Sequence, residues 1–189
     1  MSQPELVKRV ASALEAAGIG YMLTGSVVSS LQGEPRSTHD VDFVVEMNVQ
    51  QSAAFLNEFK EPEFYVSNEA VKEALRTKRM FNILSVNDGD KADVWILKDD
   101  AFDRSRFERR MEIDFFGQRV KLTTPEDTIL YKLNWALQCG GSEKQFNDAK
   151  GVYEVQHHHL DESYIDHWAK VLKIEDLLVR IRREAEPIA

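Results

Sequence analysis

Cysteine is nearly absent: Cys139 is the only one in 189 residues. That excludes a disulfide framework and a cysteine-based zinc site. The apolar runs are only a few residues long, far short of the roughly 20 residues that a membrane span requires. The opening residues, Met1-Ser2-Gln3-Pro4-Glu5, lack the basic patch and apolar stretch of a secretory signal. The expected setting is therefore soluble, reducing and cytoplasmic, with no membrane partner. Positive charge is also short. Against 32 Asp and Glu there are 24 Lys and Arg, a formal net charge of -8. Such a balance argues against a surface that coats nucleic acid wholesale, and leaves room only for a local basic groove. What is present is ordinary for a globular protein: 43% apolar and 30% charged residues. A chain of this length is one domain or a domain with a small appendage. It can bury about 70% of its unfolded surface without a covalent or metal staple.

The first segment reads as an amphipathic helix. Ser2 and Glu5 have capping-box spacing, Pro4 sits in the first turn, and Leu6, Val10, Ala13, Leu14 and Ala17 recur at helical intervals before Gly18 and Gly20. Tyr21-Met22-Leu23 reads as a strand running into Gly25-Ser26, followed by a short helix over 27–31 that Gly33 and Pro35 end. Val41 to Val45 reads as a second strand. Helices are expected over 50–59 and 68–76. A hairpin follows, with Phe81 to Val86 and Lys91 to Leu97 joined by Asn87-Asp88-Gly89-Asp90. A charged helix over 101–109 precedes two short strands, 111–115 and 119–122, with Gly117-Gln118 as the turn. From Thr123 onward only helices are expected, with Thr124 capping the first and Pro125 opening it, Asn147 to Val155 in the second, Asp161 capping the third, and the last over 174–184. The expected fold class is α+β: a mixed twisted sheet with flanking helices over 1–122, and a C-terminal helical region over 123–189 packed on it as one compact unit.

Three features could carry chemistry. Gly25-Ser26 lies between a strand and a helix, where a glycine allows close backbone approach and the helix N-terminus offers unpaired N–H groups to an anion. The same pair also serves simply to turn and cap a chain. Asp40-Val41-Asp42 opens an apolar strand, and the strand period of two puts both carboxylates on one side. Like charges so close favour a positive partner, and Mg²⁺ or Mn²⁺ suits an all-oxygen donor set. The other reading has Asp40 capping a turn and Asp42 facing water. Lys91-Ala92-Asp93-Val94-Trp95-Ile96 alternates likewise. If it lies beside the strand of Asp42, Asp93 becomes a third acid, and three acids can bridge two metal ions while leaving positions for phosphate. A half-exposed strand would show the same alternation.

Taken together, Gly25-Ser26, Arg36-Ser37-Thr38-His39-Asp40-Val41-Asp42 and Asp93 resemble the nucleotidyltransferase superfamily of the polymerase-β type. In it, a Gly-Ser motif ends the first core strand, an acidic pair follows on the next, and a third acid lies on a later one. Leu31-Gln32-Gly33, with Arg36 and Thr38, and Thr124-Pro125-Glu126-Asp127 followed by Lys132-Leu133, are similar to small prokaryotic members, above all the AbiEii-type toxin group. The resemblance runs from about Ile19 to Leu178. It implies transfer of a nucleoside monophosphate from an NTP to a hydroxyl on RNA, a protein side chain or a small molecule, with a cognate antitoxin protein as partner in the toxin case. Asp40, Asp42 and Asp93 would be the catalytic, metal-holding acids. Gly25, Ser26, Arg36, Thr38 and Lys132 would serve the nucleotide, Ser26 at the terminal phosphates. The same fold could also persist as a catalytically silent nucleotide-binding or protein-interaction module.

Several side chains keep two readings. Lys132 borders the apolar stripe of Ile129, Leu133, Ala136 and Leu137, so its ammonium reaches either a cleft or open water. Arg36 either meets phosphate or pairs with an acid such as Glu34. Lys91 either tunes Asp93 or is solvated. In the helical region, Lys144-Gln145-Phe146-Asn147-Asp148 stands where relatives often carry a basic-Asp pair and a further acid, but here Gly151 follows. His157-His158-His159 is expected to be a connecting loop. The arginines at 104, 106, 109 and 110 and at 180, 182 and 183 read as solvated helix faces and as the available docking surface for a polynucleotide. Trp95, Trp135 and Trp168 read as packing residues.

Overall fold

The side chain of Glu5 accepts from the Ser2 backbone N–H at 2.6 Å and from the Ser2 hydroxyl at 2.9 Å. This capping box opens helix α1 (Gln3–Ala16), whose buried face carries Leu6, Val7, Val10, Ala13 and Leu14. The computed structural model describes residues 1–38 and 40–186. His39, within the motif quoted above, and the last three residues of the C-terminal region lie outside the described residues.

The chain continues as β1 (Gly20–Thr24), α2 (Gly25–Gln32), β2 (Asp40–Glu46), α3 (Val49–Leu56), β3 (Phe64–Tyr65), α4 (Asn68–Thr77), β4 (Met80–Ser85), β5 (Lys91–Ile96), α5 (Ala101–Glu108), β6 (Met111–Phe115) and β7 (Gln118–Leu122). Only helices follow among the described residues: α6 (Pro125–Gln138), α7 (Glu143–Gln156), a 3₁₀ turn at His157–His159, α8 (Glu162–Leu172) and α9 (Glu175–Glu184). The seven strands form one mixed sheet in the order β3-β4-β5-β2-β1-β7-β6. β2 runs parallel to β5 and β1 parallel to β7, while the other neighbours are antiparallel. The fold class is thus the mixed α+β arrangement that the strand and helix periods indicate.

The chain divides into two compact units. One comprises Met1–Gly25 with Thr38–Leu122, and the other Ser26–Ser37 with the residues from Thr123 onward. In the first, α1 lies against β1, β2, β5 and β7. Val41, Phe43 and Val45 on β2 and Ala92, Val94 and Ile96 on β5 are all buried, as a strand period of two requires of one face. In the second, α6 packs along α7, and α8 and α9 complete the bundle. Asp127, wholly buried, accepts from the capping Thr124 hydroxyl at 2.8 Å and from the Tyr164 hydroxyl at 2.7 Å. The Thr-Pro-Glu-Asp sequence is therefore a structural knot between α6 and α8.

Most element ends lie within one or two residues of expectation, and the larger differences have local causes. β3 is two residues long, too short to leave a periodic signal. α3 stops at Leu56 rather than Phe59, because Asn57 N–H already bonds back in tight turns. The turn between β6 and β7 is Phe116-Gly117, both with positive φ of 50° and 81°, rather than Gly117-Gln118. α7 (Glu143–Gln156) contains Asn147 to Val155, as expected.

Candidate active site

In the sheet unit the acidic residues are set by register. Across the parallel β2–β5 pair, Asp40 stands opposite Lys91 and Asp42 opposite Asp93. On its other side Asp42 faces Thr24, the last residue of β1. Gly25 comes next, with φ +74°, and a methyl group added there would lie 2.1 Å from Asp42 Oδ2. Glycine is thus required twice at this position, for its backbone conformation and for the space that the carboxylate occupies. Each acid also has a protein partner. Trp95 Nε1 donates to Asp42 Oδ1 at 3.2 Å, and Asn82, opposite Asp93 on β4, donates to Asp93 Oδ1. Lys91 Nζ lies 3.1 Å from Asp93 Oδ2 and 3.5 Å from Asp40 Oδ1. Burial alone would lower the Lys91 pKa, but the hydrogen bond and charge of Asp93, aided by Asp40, outweigh it and hold the ammonium above its ordinary value.

These four side chains combine three carboxylates with one ammonium, a formal excess of two negative charges within the group. A hard divalent cation suits that charge and the all-oxygen donor set. Among the described residues, however, no three His, Cys, Asp or Glu side chains stand ready around a common point for a metal ion. The acids are brought together by register, but each is turned toward Trp95, Asn82 or Lys91.

The helical unit builds a second polar cluster. Arg36 forms a two-pronged pair with Asp148, Nε to Oδ1 at 2.7 Å and Nη2 to Oδ2 at 2.8 Å. Lys132 Nζ reaches the same Oδ2 at 2.7 Å. Both cations also point at Ser26 Oγ, Arg36 Nη2 at 2.7 Å and Lys132 Nζ at 3.4 Å. The side chains of Lys132 and Asp148 are only 5% and 7% exposed. Two cations thus surround one carboxylate and one hydroxyl. Burial pushes the Asp148 pKa up, yet the hydrogen bonds from Arg36 and Lys132 prevail and hold it below the usual aspartate value. Arg36 is held above its ordinary value for the matching reason, its hydrogen bond to Asp148.

Helix α7 is shaped for this contact. A methyl group at Gly33 would sit 2.7 Å from Val152 N and 2.8 Å from the carbonyl carbon of Gly151. Backbone therefore meets backbone there, and Asp148, three residues before Gly151, shares that face of the helix. The glycine that this approach requires is Gly33, since a methyl group at Gly151 would meet its nearest neighbour, Glu34 N, at an ordinary 3.5 Å. The pairing of Arg36 with Glu34 and a solvated Lys132 are both excluded: Arg36 pairs with Asp148, and Lys132 is buried. Thr38 is half-buried in the sheet unit, and its carbonyl accepts from Gln3 Nε2 at 2.8 Å.

Other expectations change. Arg106 is buried against Asp103 rather than solvated, and Arg104 pairs with Glu46 and Asp99. Arg180 pairs with Glu143 and lies over the Phe146 ring, and Arg182 pairs with Glu162 and Asp166. Trp95 is not only a packing residue, since it holds Asp42. Trp135 is 38% exposed and stacks on Tyr131. His157 to His159 form the connecting 3₁₀ turn. Asp148, Asn82 and Trp95 are the partners that sequence reasoning did not assign to a site. Asp148 had one usable signal, its i, i+3 spacing to Gly151 on a helix.

No family model matches the chain, and no curated protein matches it. Solved structures do. ANT(2'')-Ia in complex with adenylyl-2''-tobramycin superposes with a TM-score of 0.60 at 12% identity, over 92% of this chain and 98% of that one. An antigenic nucleotidyltransferase-like protein from Paracoccidioides brasiliensis gives 0.55 at 18% identity, over 97% and 93%. The lincosamide antibiotic adenylyltransferase LnuA, lincomycin-bound, gives 0.55 at 12% identity, over 82% and 98%. The chain has the nucleotidyltransferase-like fold.

Proposed function

We propose that this chain is a divalent-metal-dependent nucleotidyltransferase that moves a nucleoside monophosphate from an NTP to a hydroxyl acceptor. The observation that carries the reading is the register that sets Asp42 against Asp93, with Asp40 two residues before Asp42 and Gly25 pressed on the Asp42 carboxylate. Asp40, Asp42 and Asp93 would hold Mg²⁺ or Mn²⁺, which when bound neutralises phosphate charge and lowers the pKa of the attacking hydroxyl. The acceptor oxygen forms a bond to the α-phosphorus. The bond to the α,β-bridging oxygen breaks, and pyrophosphate leaves with the electron pair. Asp93 takes the hydroxyl proton on a carboxylate oxygen. Ser26, Arg36 and Lys132 are assigned to the phosphates, a role supported by a buried lysine and a half-buried arginine sharing a single carboxylate.

The acceptor is best read as a small molecule. The net charge is -8, and Arg104, Arg106, Arg180 and Arg182 are each committed to Asp or Glu. A polynucleotide needs free positive surface, whereas a neutral or cationic hydroxyl compound does not. LnuA and ANT(2'')-Ia, in the complexes named above, carry a small antibiotic or its adenylyl product.

The test is incubation with each α-³²P-labelled NTP, Mg²⁺ and cell extract separated into RNA, protein and small-molecule pools. Label in the small-molecule pool together with pyrophosphate release is expected. Label in RNA or protein would reassign the acceptor and bring forward the toxin role that the AbiEii-type resemblance implies, with co-purification of an antitoxin as its check. Nucleotide binding with no pyrophosphate released in any pool would replace the enzyme with a silent nucleotide-binding module.

A further inference from the structure

Lys91 is placed where a metal ion would compete with it. It stands opposite Asp40 across the parallel β2–β5 pair and two residues before Asp93 on its own strand. Its ammonium lies 3.1 Å from Asp93 and 3.5 Å from Asp40, engaging two of the three acids assigned above to the metal. Asp93 is further tied by Asn82, with its side chain 11% exposed. An ordinary surface ion pair would join one cation to one flexible acid. Here one cation spans two strands and reaches a nearly buried carboxylate.

Resting on the nucleotidyltransferase reading, we propose that Lys91 is a resident counter-cation that keeps the acidic group from taking up a free divalent ion, so that metal binds tightly only together with the nucleotide. A divalent ion arriving alone must displace the ammonium and then bear its repulsion at close range. An ion arriving with a polyphosphate brings compensating negative charge and part of its own oxygen shell. Lys91 is thus a positioning residue that makes the site specific for the metal–nucleotide complex over bare metal. This also accounts for the turn of Asp40 and Asp93 toward Lys91.

The experiment is Mn²⁺ titration followed by electron paramagnetic resonance, with and without α,β-methylene-ATP. The proteins are wild type, Lys91→Gln, Lys91→Met, Lys91→Arg and Asp42→Asn, each checked for folding by circular dichroism. In a Trp135→Phe/Trp168→Phe background, fluorescence of Trp95, which is hydrogen-bonded to Asp42, reads the same titration independently. Without nucleotide, Lys91→Gln and Lys91→Met should bind Mn²⁺ roughly tenfold more tightly than wild type, equivalent to about 1.4 kcal/mol. Lys91→Arg should stay as weak as wild type, and Asp42→Asn should bind least. With α,β-methylene-ATP the gap between wild type and the neutral variants should narrow. Mn²⁺ binding of equal strength in wild type and the neutral variants would overturn the role of Lys91 and leave the proposed activity standing. Weaker binding in the neutral variants would overturn it too, making Lys91 a support of the site. Folded proteins that never bind Mn²⁺, with or without the analogue, would overturn both this proposal and the metal assignment beneath it.

Discussion

Gly25→Ala is the most informative single change in the sheet unit, because Gly89 offers a matched control. Gly25 has φ +74° and Gly89 has φ +73°. Alanine in the left-handed region costs about 1–2 kcal/mol at either site. Nothing lies within 4 Å of a methyl group at Gly89, whereas at Gly25 it would meet Asp42 Oδ2 at 2.1 Å, Cγ at 2.7 Å and Cβ at 2.9 Å. All three atoms belong to one side chain, so the Asp42 carboxylate must move by at least about 1.3 Å to restore an ordinary contact. Each substitution should lower the melting temperature by about 2–4 °C per kcal/mol in a chain of this length. Only Gly25→Ala should also displace a carboxylate assigned to the metal, and a misplacement of that size costs about 10²-fold in rate. Thermal unfolding and pyrophosphate release, measured on both variants, separate backbone strain from the displacement. If Gly25→Ala kept the activity of Gly89→Ala, the close packing of glycine on Asp42 would have no catalytic meaning.

The helical unit supports two further tests. Asp148→Asn leaves Arg36 and Lys132 without their shared carboxylate and should cost about 3–5 kcal/mol at pH 7 by urea denaturation, the usual price of breaking a buried pair. Because Arg36 and Lys132 hold the Asp148 pKa below its ordinary 3.8, the stability it contributes is full above that value and is lost as pH falls through the depressed one. The wild-type and variant curves should therefore run parallel above about pH 5 and converge below about pH 4. Parallel curves down to pH 2 would show that Asp148 carries no such linkage. Gly33→Ala places a methyl group 2.7 Å from the Val152 backbone nitrogen and should destabilise by about 1–3 kcal/mol. Gly151→Ala meets its nearest neighbour, Glu34 N, at an ordinary 3.5 Å and lies mid-helix, so it should be neutral or gain up to about 1 kcal/mol. Urea midpoints of the two variants would contradict the backbone contact if their order were reversed.

The sheet was legible where periodicity and turn chemistry are strong. Val41 to Val45 is rich in β-branched and aromatic residues and Lys91 to Val94 alternates in polarity, and their parallel neighbourhood was the one condition that spacing could state but not decide. Register decides it, through main-chain pairing that no local window contains. The caps Thr124 and Asp161 were equally plain, because a capping side chain acts within three residues of itself. Contacts between distant segments were not legible. Arg36 and Asp148 are 112 positions apart, so the cluster on Ser26 exists only once α2 and α7 meet at Gly33 and Gly151. Trp95 looked like a core residue because its ring does pack beside Met22, Val44, Leu97 and Phe107. Its indole N–H needed the structure to show a partner. Arg106 misled for the opposite reason: a charged residue in a charged helix carries no sign that Asp103, one turn back, accompanies it into the interior.

The central claim is that Asp42 holds the ion that makes nucleotidyl transfer possible. The most direct measurement is pyrophosphate release by wild type and Asp42→Asn, at saturating NTP and Mg²⁺ with the acceptor pool that takes up label. Asn keeps the volume and the acceptor for Trp95 Nε1, but removes the charge. The account predicts measurable release by wild type and a loss of at least about 10²-fold in the variant, with nucleotide-free stability little changed. Equal release from the two proteins would contradict it.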